Sequence, residues 1–303
     1  MISFIKNWAL PIAMLIGALF YGWLSQLEFI TPYLIFAMLL LTFCKIKPSE
    51  MKVSFMHLWL LLIQILGSVA AYYLFYPLGK VVAESVMVCV IAPTATASAV
   101  ITAKLGGSAA SLAAYTLLSN LGTAMAVPII FPLVEENAEL GFLVLSMRIF
   151  SKVFPLLICP FLLSVLLRGI VPGVYRKLKE CSGAAFYIWA ASLAIVMAEI
   201  TQAILSGTTS VGTEIVIALC SLAVCCLLFF IGKKIGRIYG DSISGGQGLG
   251  QKNTILAIWI AGTYLNPSSA IGPGAYVVWQ NIINSWQLWK KRKKEEKAYI
   301  NKV

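Results

Sequence analysis

The sequence predicts an all-α polytopic membrane protein with ten transmembrane helices, on three observations. Of its 303 residues 60% are apolar and only 12% charged, and the mean hydropathy is +0.88. A soluble domain sits near half apolar and about a quarter charged. The apolar residues come in runs close to the roughly 20 residues that a bilayer-spanning helix needs. The basic residues fall in alternate gaps between those runs. This composition excludes a soluble enzyme, a nucleic-acid-binding domain and a disordered protein. The unbroken runs exclude a membrane β-barrel, whose strands alternate apolar and polar residues. Ten spans with short loops would leave no room for a soluble domain.

The expected spans are 8–24, 29–44, 53–77, 84–105, 106–134, 139–168, 183–205, 213–232, 241–265 and 269–289. The first has only Lys6 before it and no small-x-small site after it, so it reads as a span rather than a cleaved signal. His57, near the start of the third, reads as an interfacial residue rather than a proton relay. Arg148 and Lys152 fall inside the sixth span and Lys252 inside the ninth, and charge at membrane depth points to function. Glu199, near the outer end of the seventh span, reads as interfacial. The tenth runs into a tail with seven Lys and Arg, which reads as an anchor beside anionic lipid, not as a nucleic-acid site. The seven cysteines show no paired metal spacing and read as buried packing residues.

Charge placement orients the spans. With the amino terminus inside, 19 of the 23 basic residues fall on the inner side: Lys6, Lys45, Lys47, Lys52, Lys104, Arg168, Arg176, Lys177, Lys179, Lys233, Lys234, Arg237 and the tail. The outer loops carry Lys80 and the acids Glu28, Glu84, Glu135, Glu136, Glu139 and Glu214. An odd number of spans would scramble this pattern. Both termini are therefore expected in the cytoplasm, and the short loops suggest a bacterial inner membrane.

Two spans are interrupted. The fourth contains Ala-Pro-Thr-Ala-Thr-Ala-Ser-Ala over 92–99, where Pro93 removes a backbone donor and clashes with the preceding turn. The ninth contains Gly245, Gly246, Gly248 and Gly250 among Ser242, Ser244, Gln247, Gln251, Lys252, Asn253 and Thr254. Irregular backbone at that depth is tolerated only where it is buried in protein or lines a cavity. The breaks lie five spans apart, so the chain divides into 1–138 and 139–303. An odd-numbered repeat inserts its second copy upside down. Paired broken helices in two inverted halves point to a transporter binding site.

These residues carry a resemblance. Ala92 to Thr102, then Leu118-Ser-Asn-Leu-Gly-Thr123 and Pro128, resembles the fourth and fifth spans of the bile acid:sodium symporter family. Gly250-Gln-Lys-Asn-Thr254 resembles that family's ninth-span E-x-G-x-Q-N motif. The resemblance implies a panel domain from spans 1, 2, 6 and 7, a core domain from spans 3–5 and 8–10, and a working centre where broken spans 4 and 9 cross. It also implies alternating-access transport of a small organic anion, driven by sodium. Among the family's sodium ligands, Gln64, Ser98, Ser119 and Thr123 match. Ala99 stands where the family has Asn, Gln247 or Gly248 where it has Glu, and Lys252 where it has Gln.

The changes remove a carboxylate and an amide oxygen and add an ammonium. Two like charges about 4 Å apart repel by roughly 4 kcal/mol at an effective dielectric near 20, about three decades in affinity. The expectation is that the Lys252 ammonium replaces a bound sodium ion, held by Gln64, Ser98, Ser119, Thr123 and nearby carbonyls, with Gln247 and Asn253 beside it. Lys252 would then be a fixed internal cation in a sodium-independent carrier, or a group whose protonation is coupled to transport. Expected substrate contacts are Thr94, Thr96, Asn120 and Thr254 at the crossing, with Arg148 and Lys152 one helical turn apart on one face. An Arg148 or Lys152 pair with Glu199 is the bland alternative. No metal, cofactor or obligate protein partner is expected, and sodium is doubted. The expected partners are a small organic anion and the bilayer. The rival functions are a sodium-coupled symporter of the same fold and a membrane receptor or scaffold that does not transport. No HExxH, intramembrane aspartate pair or Ser/His constellation supports an enzyme.

Overall fold

The fold is known from a computed structural model that describes residues 2–45, 52–134, 141–207 and 209–300. Lys47, Glu135, Glu136, Glu139 and Lys302, on which part of the predicted charge pattern rests, lie outside the described residues, as do the side chains of Lys6 and Lys297. The described residues form helices and no strand. Among the described residues six stretches are long and apolar enough to cross a membrane: Tyr21–Phe43, Phe55–Leu78, Ala109–Val134, Phe142–Ile170, Ala184–Leu205 and Val211–Ile238. The chain is a multi-pass α-helical membrane protein.

In chain order the helices are α1 (Ile2–Leu19), α2 (Tyr21–Leu24), α3 (Thr31–Phe43), α4 (Phe55–Phe75), α5 (Lys80–Ile91), α6 (Ser98–Leu105) and α7 (Ala109–Val134). Then come α8 (Phe142–Ile170), α9 (Pro172–Glu180), α10 (Ala184–Leu205), α11 (Val211–Ile238), α12 (Ser242–Gly250), α13 (Thr254–Tyr264) and α14 (Ile271–Ile300). Helices α5 and α6 are the halves of the predicted fourth span, and α12 and α13 those of the ninth. Pro128, Pro132, Pro155 and Pro160 sit inside α7 and α8 without ending them, because neighbouring helices re-satisfy the freed backbone groups.

Two packing groups emerge. α10 packs on α1 and α3, and α3 packs on α8. α5 packs on α4, α11 and α14, and α11 packs on α12 and α14. α7 touches both groups, through α4 and α8.

Several boundaries differ from the expected ones. The glycines of the ninth span do not make its break. Gly245, Gly246, Gly248 and Gly250 lie within α12, and the chain unwinds only at Gln251–Asn253. A side chain on Gly232 of α11 would meet the Gly245 carbonyl, and one on Gly245 would meet the Gly232 carbonyl. The glycines thus serve helix contact, as small residues do between membrane helices. Lys233, Lys234 and Arg237, expected in a loop, belong to the last turns of α11. The basic tail continues α14 as helix, with Lys290 over the Trp286 ring and Lys293 over Trp289. Helix α9, with Arg176, Lys177 and Lys179, occupies what reads in sequence as a loop.

Glu84 is a further correction. It is not in an outer loop but fully buried in α5. Its carboxylate accepts from the Ser269 hydroxyl at 2.6 Å and the Asn266 N–H at 3.3 Å, and pairs with Lys80 at 3.8 Å. It ties the start of α5 to the turn between α13 and α14. Across the molecule, Ser244 near the start of α12 exchanges hydrogen bonds with the Ser108 backbone between α6 and α7, at 3.0 and 3.2 Å. Each first half of a broken helix is therefore anchored to the loop that follows the second half of the other.

Candidate functional site: a lysine between two paired helix breaks

The two breaks pair with each other. Thr94 and Lys252 form an isolated antiparallel bridge. The Asn253 N–H donates to the Pro93 carbonyl at 2.7 Å, and the Ala95 N–H to the Gln251 carbonyl at 2.9 Å. Pro93 cannot continue α5, since it lacks an N–H and disfavours helix at the residue before it. Ala92 turns to ψ 136°. On the other side Asn253 caps α13, its side-chain oxygen accepting from Leu256, as a helix N-cap does.

Breaking a helix strands the carbonyls of its last turn. At the end of α5 each named orphan has a side-chain partner. The Lys252 Nζ donates to the Val90 carbonyl at 2.8 Å and to the Ala92 carbonyl at 3.0 Å. Between them, the Ile91 carbonyl accepts from Gln64 Nε2 at 2.9 Å and from the Thr123 hydroxyl at 3.0 Å. The amine thus sits at the negative end of the α5 dipole, where a cation would be favoured. Lys252 is 1% exposed. Its backbone is held by one amide, accepting from Gln280 Nε2 at 3.3 Å and donating to Gln280 Oε1 at 2.8 Å.

Thr94, the bridge partner, does the same for the other half. Its hydroxyl donates to the Gly248 carbonyl in the last turn of α12 at 2.7 Å. Its N–H donates to Ser119 Oγ at 3.1 Å. A hydroxyl on one side and an amine on the other thus each reach the carbonyl end of the opposite broken helix.

Gln64, Ser119 and Thr123 gather as expected, but around the Ile91 carbonyl rather than the amine. Gln64 Oε1 accepts from Ser119 at 2.7 Å and from Tyr115 at 3.0 Å, and Gln64 Nε2 donates to Thr123 at 2.9 Å. The amine's bonds go to main-chain oxygens alone. Ser98, buried at the start of α6, donates to the Ala95 carbonyl within the break. Gln247 donates to Asn284 Oδ1 at 2.9 Å, between α12 and α14. Asn120 is buried and its Nδ2 donates to the Thr116 carbonyl, leaving Oδ1 without a partner. Thr254 opens α13 and is buried, while Thr96 is half-buried in the first break. Tyr115, Gln280 and Asn284 also join this hydrogen-bond network and were not among the expected residues. Gln280 and Asn284, amides one turn apart in a tenth span that also carries Asn281, Ser285 and Gln287, were the available signal.

His57, in the first turn of α4, is buried within the protein at 1% exposed. Its Nδ1 accepts from the Ser54 N–H at 3.2 Å, closing a capping box on α4, and its Nε2 bonds the Ser111 hydroxyl at 3.0 Å.

Arg148 and Lys152 lie away from the crossing. They line a cavity of about 820 Å³ between α3, α8 and α13, with Tyr33, Phe36, Trp259 and Tyr264. Neither has a carboxylate partner among the described residues. Glu199 does not line this cavity and faces Thr31 and Glu28 instead. Among the described residues no cluster of three His, Cys, Asp or Glu could hold a metal. No family model matches the chain, and no curated protein matches it.

Proposed function

We propose that this chain is a ten-span secondary carrier of a small organic anion, of the bile acid:sodium symporter type, in which the Lys252 ammonium takes the place of a bound sodium ion. The observation that carries this reading is the buried amine on the Val90 and Ala92 carbonyls, where two broken helices meet. Carbonyl oxygens at a helix C-terminus hold cations in discontinuous-helix transporters. An alkali cation would have to compete with the ammonium for those two oxygens. The coupling is therefore sodium-independent, and no catalytic step is involved.

The reciprocal anchoring of Glu84 and Ser244 supports two inverted halves, 1–138 and 139–303. The packing groups support a panel of α1, α3, α8 and α10 beside a core of α4–α7 and α11–α14. The cavity lies between them, lined by α3 and α8 on one side and α13 on the other. In a bacterial inner membrane with both termini cytoplasmic, it opens outward. The panel and core rock about the paired breaks to expose it alternately. Purified protein in liposomes tests this. Uptake of a carboxylate from a panel of such acids is expected to be equal in sodium and potassium buffers. Strong sodium stimulation would refute the sodium-free mechanism, and no uptake of any member would refute the carrier.

A further inference from the structure

Resting on the reading of this chain as an anion carrier, we infer that the cargo is a dianion: two anionic groups about one helical turn apart, carried on a flat apolar body. The cavity between α3, α8 and α13 contains two charged side chains, Arg148 and Lys152, and both are cations. They stand four residues apart on α8, so their Cβ atoms are roughly 6 Å apart. Neither is neutralised by a carboxylate among the described residues. Both side chains are exposed, so each keeps water, but two neighbouring cations repel each other, and a monoanion would leave one of them unanswered. A dianion compensates both. The guanidinium suits a carboxylate with two parallel hydrogen bonds, and the ammonium acts as a point charge.

The body of the cargo follows from the walls. Tyr33 and Phe36 come from α3, and Trp259 and Tyr264 from the middle and end of α13. Aromatic rings on facing elements favour a flat ligand against which they stack. The volume, about 820 Å³, is in the range of pockets for drug-sized molecules and much larger than a short-chain acid needs.

Three probes separate charge from body. Biphenyl-3,5-dicarboxylate has both features, biphenyl-3-carboxylate lacks the second charge, and glutarate lacks the rings. Binding is measured by calorimetry on the purified full chain, and uptake in liposomes. Biphenyl-3,5-dicarboxylate is expected to bind at least tenfold more tightly than either control. Arg148→Gln and Lys152→Gln should each weaken it about tenfold while leaving biphenyl-3-carboxylate within threefold, which also shows that the variants fold. Equal binding of monoanion and dianion, or equal loss of both in the variants, overturns the inference. Uptake of other carboxylates without binding of the dianion also overturns it, while the carrier reading stands. Selective dianion binding with no uptake of any acid supports the ligand class and overturns the carrier.

Discussion

Replacing Lys252 by Met isolates the amine. The side chain keeps most of its length and loses the charge and both hydrogen bonds, to Val90 at 2.8 Å and Ala92 at 3.0 Å. Bonds from a charged donor contribute about 1.5–3 kcal/mol each, and a buried acceptor left without a donor costs about 1–3 kcal/mol. Against this, removing a buried charge recovers its desolvation penalty, several kcal/mol. The two carbonyls remain on buried residues, Val90 at 4% and Ala92 at 0% exposed, so their orphaning decides the sign. The net loss is about 2–4 kcal/mol. For a chain of this size that lowers the melting temperature by roughly 3–6 °C. Thermal unfolding of detergent-purified Lys252→Met by intrinsic fluorescence measures it, with equal sodium and potassium in paired samples. A melting temperature within 1 °C of wild type would show that the amine contributes nothing to the crossing, and the mechanism built on it would fall.

Lys252→Gln should open the carbonyl pair to metal, so liposome uptake is expected to become sodium-stimulated, and continued indifference to sodium would count against substitution of ion by amine. Gln64→Leu removes one of the two donors to the Ile91 carbonyl, the partner of Thr123 and the acceptor of the Ser119 and Tyr115 hydroxyls, and should cost about 3–5 kcal/mol, more than Thr94→Val at about 1 kcal/mol, as denaturation of the purified proteins would report. Glu84→Ala should loosen the start of α5 from Ser269 and Asn266 by about 2 kcal/mol, read as faster amide exchange in 80–86. Gly232→Leu drives a side chain into the Gly245 backbone and should abolish monodisperse purification, while Gly141→Ala, with open space around it, should not.

Much of the fold is readable from local chemistry. Apolar runs mark the long helices, and Pro93 marks the end of α5 because a ring without an N–H acts on its own neighbours. The glycines of α12 misled for the opposite reason. Their role is set by α11, a separate segment whose approach nothing local announces. Glu84 was misplaced in the same way, since it is buried by partners distant in sequence, Ser269 and Asn266. The candidate site was legible only in part of its membership and not in its wiring. Gln64, Ser119, Thr123 and Lys252 stand out as polar groups in apolar spans, but which of three successive carbonyls each one takes depends on a half-turn of backbone geometry. The cavity was visible only as two isolated cations, because its walls come from three helices.

The grip on Lys252 is exerted by peptide oxygens, and this shapes how the locus responds to variation. Replacing the side chain of Val90 or Ala92 alters packing but leaves each acceptor in place, so a substitution survey would flag neither. Only position 252 offers a direct genetic handle. The charge can therefore disappear in a single step, whereas its receptacle persists through almost any drift in the residues that build it.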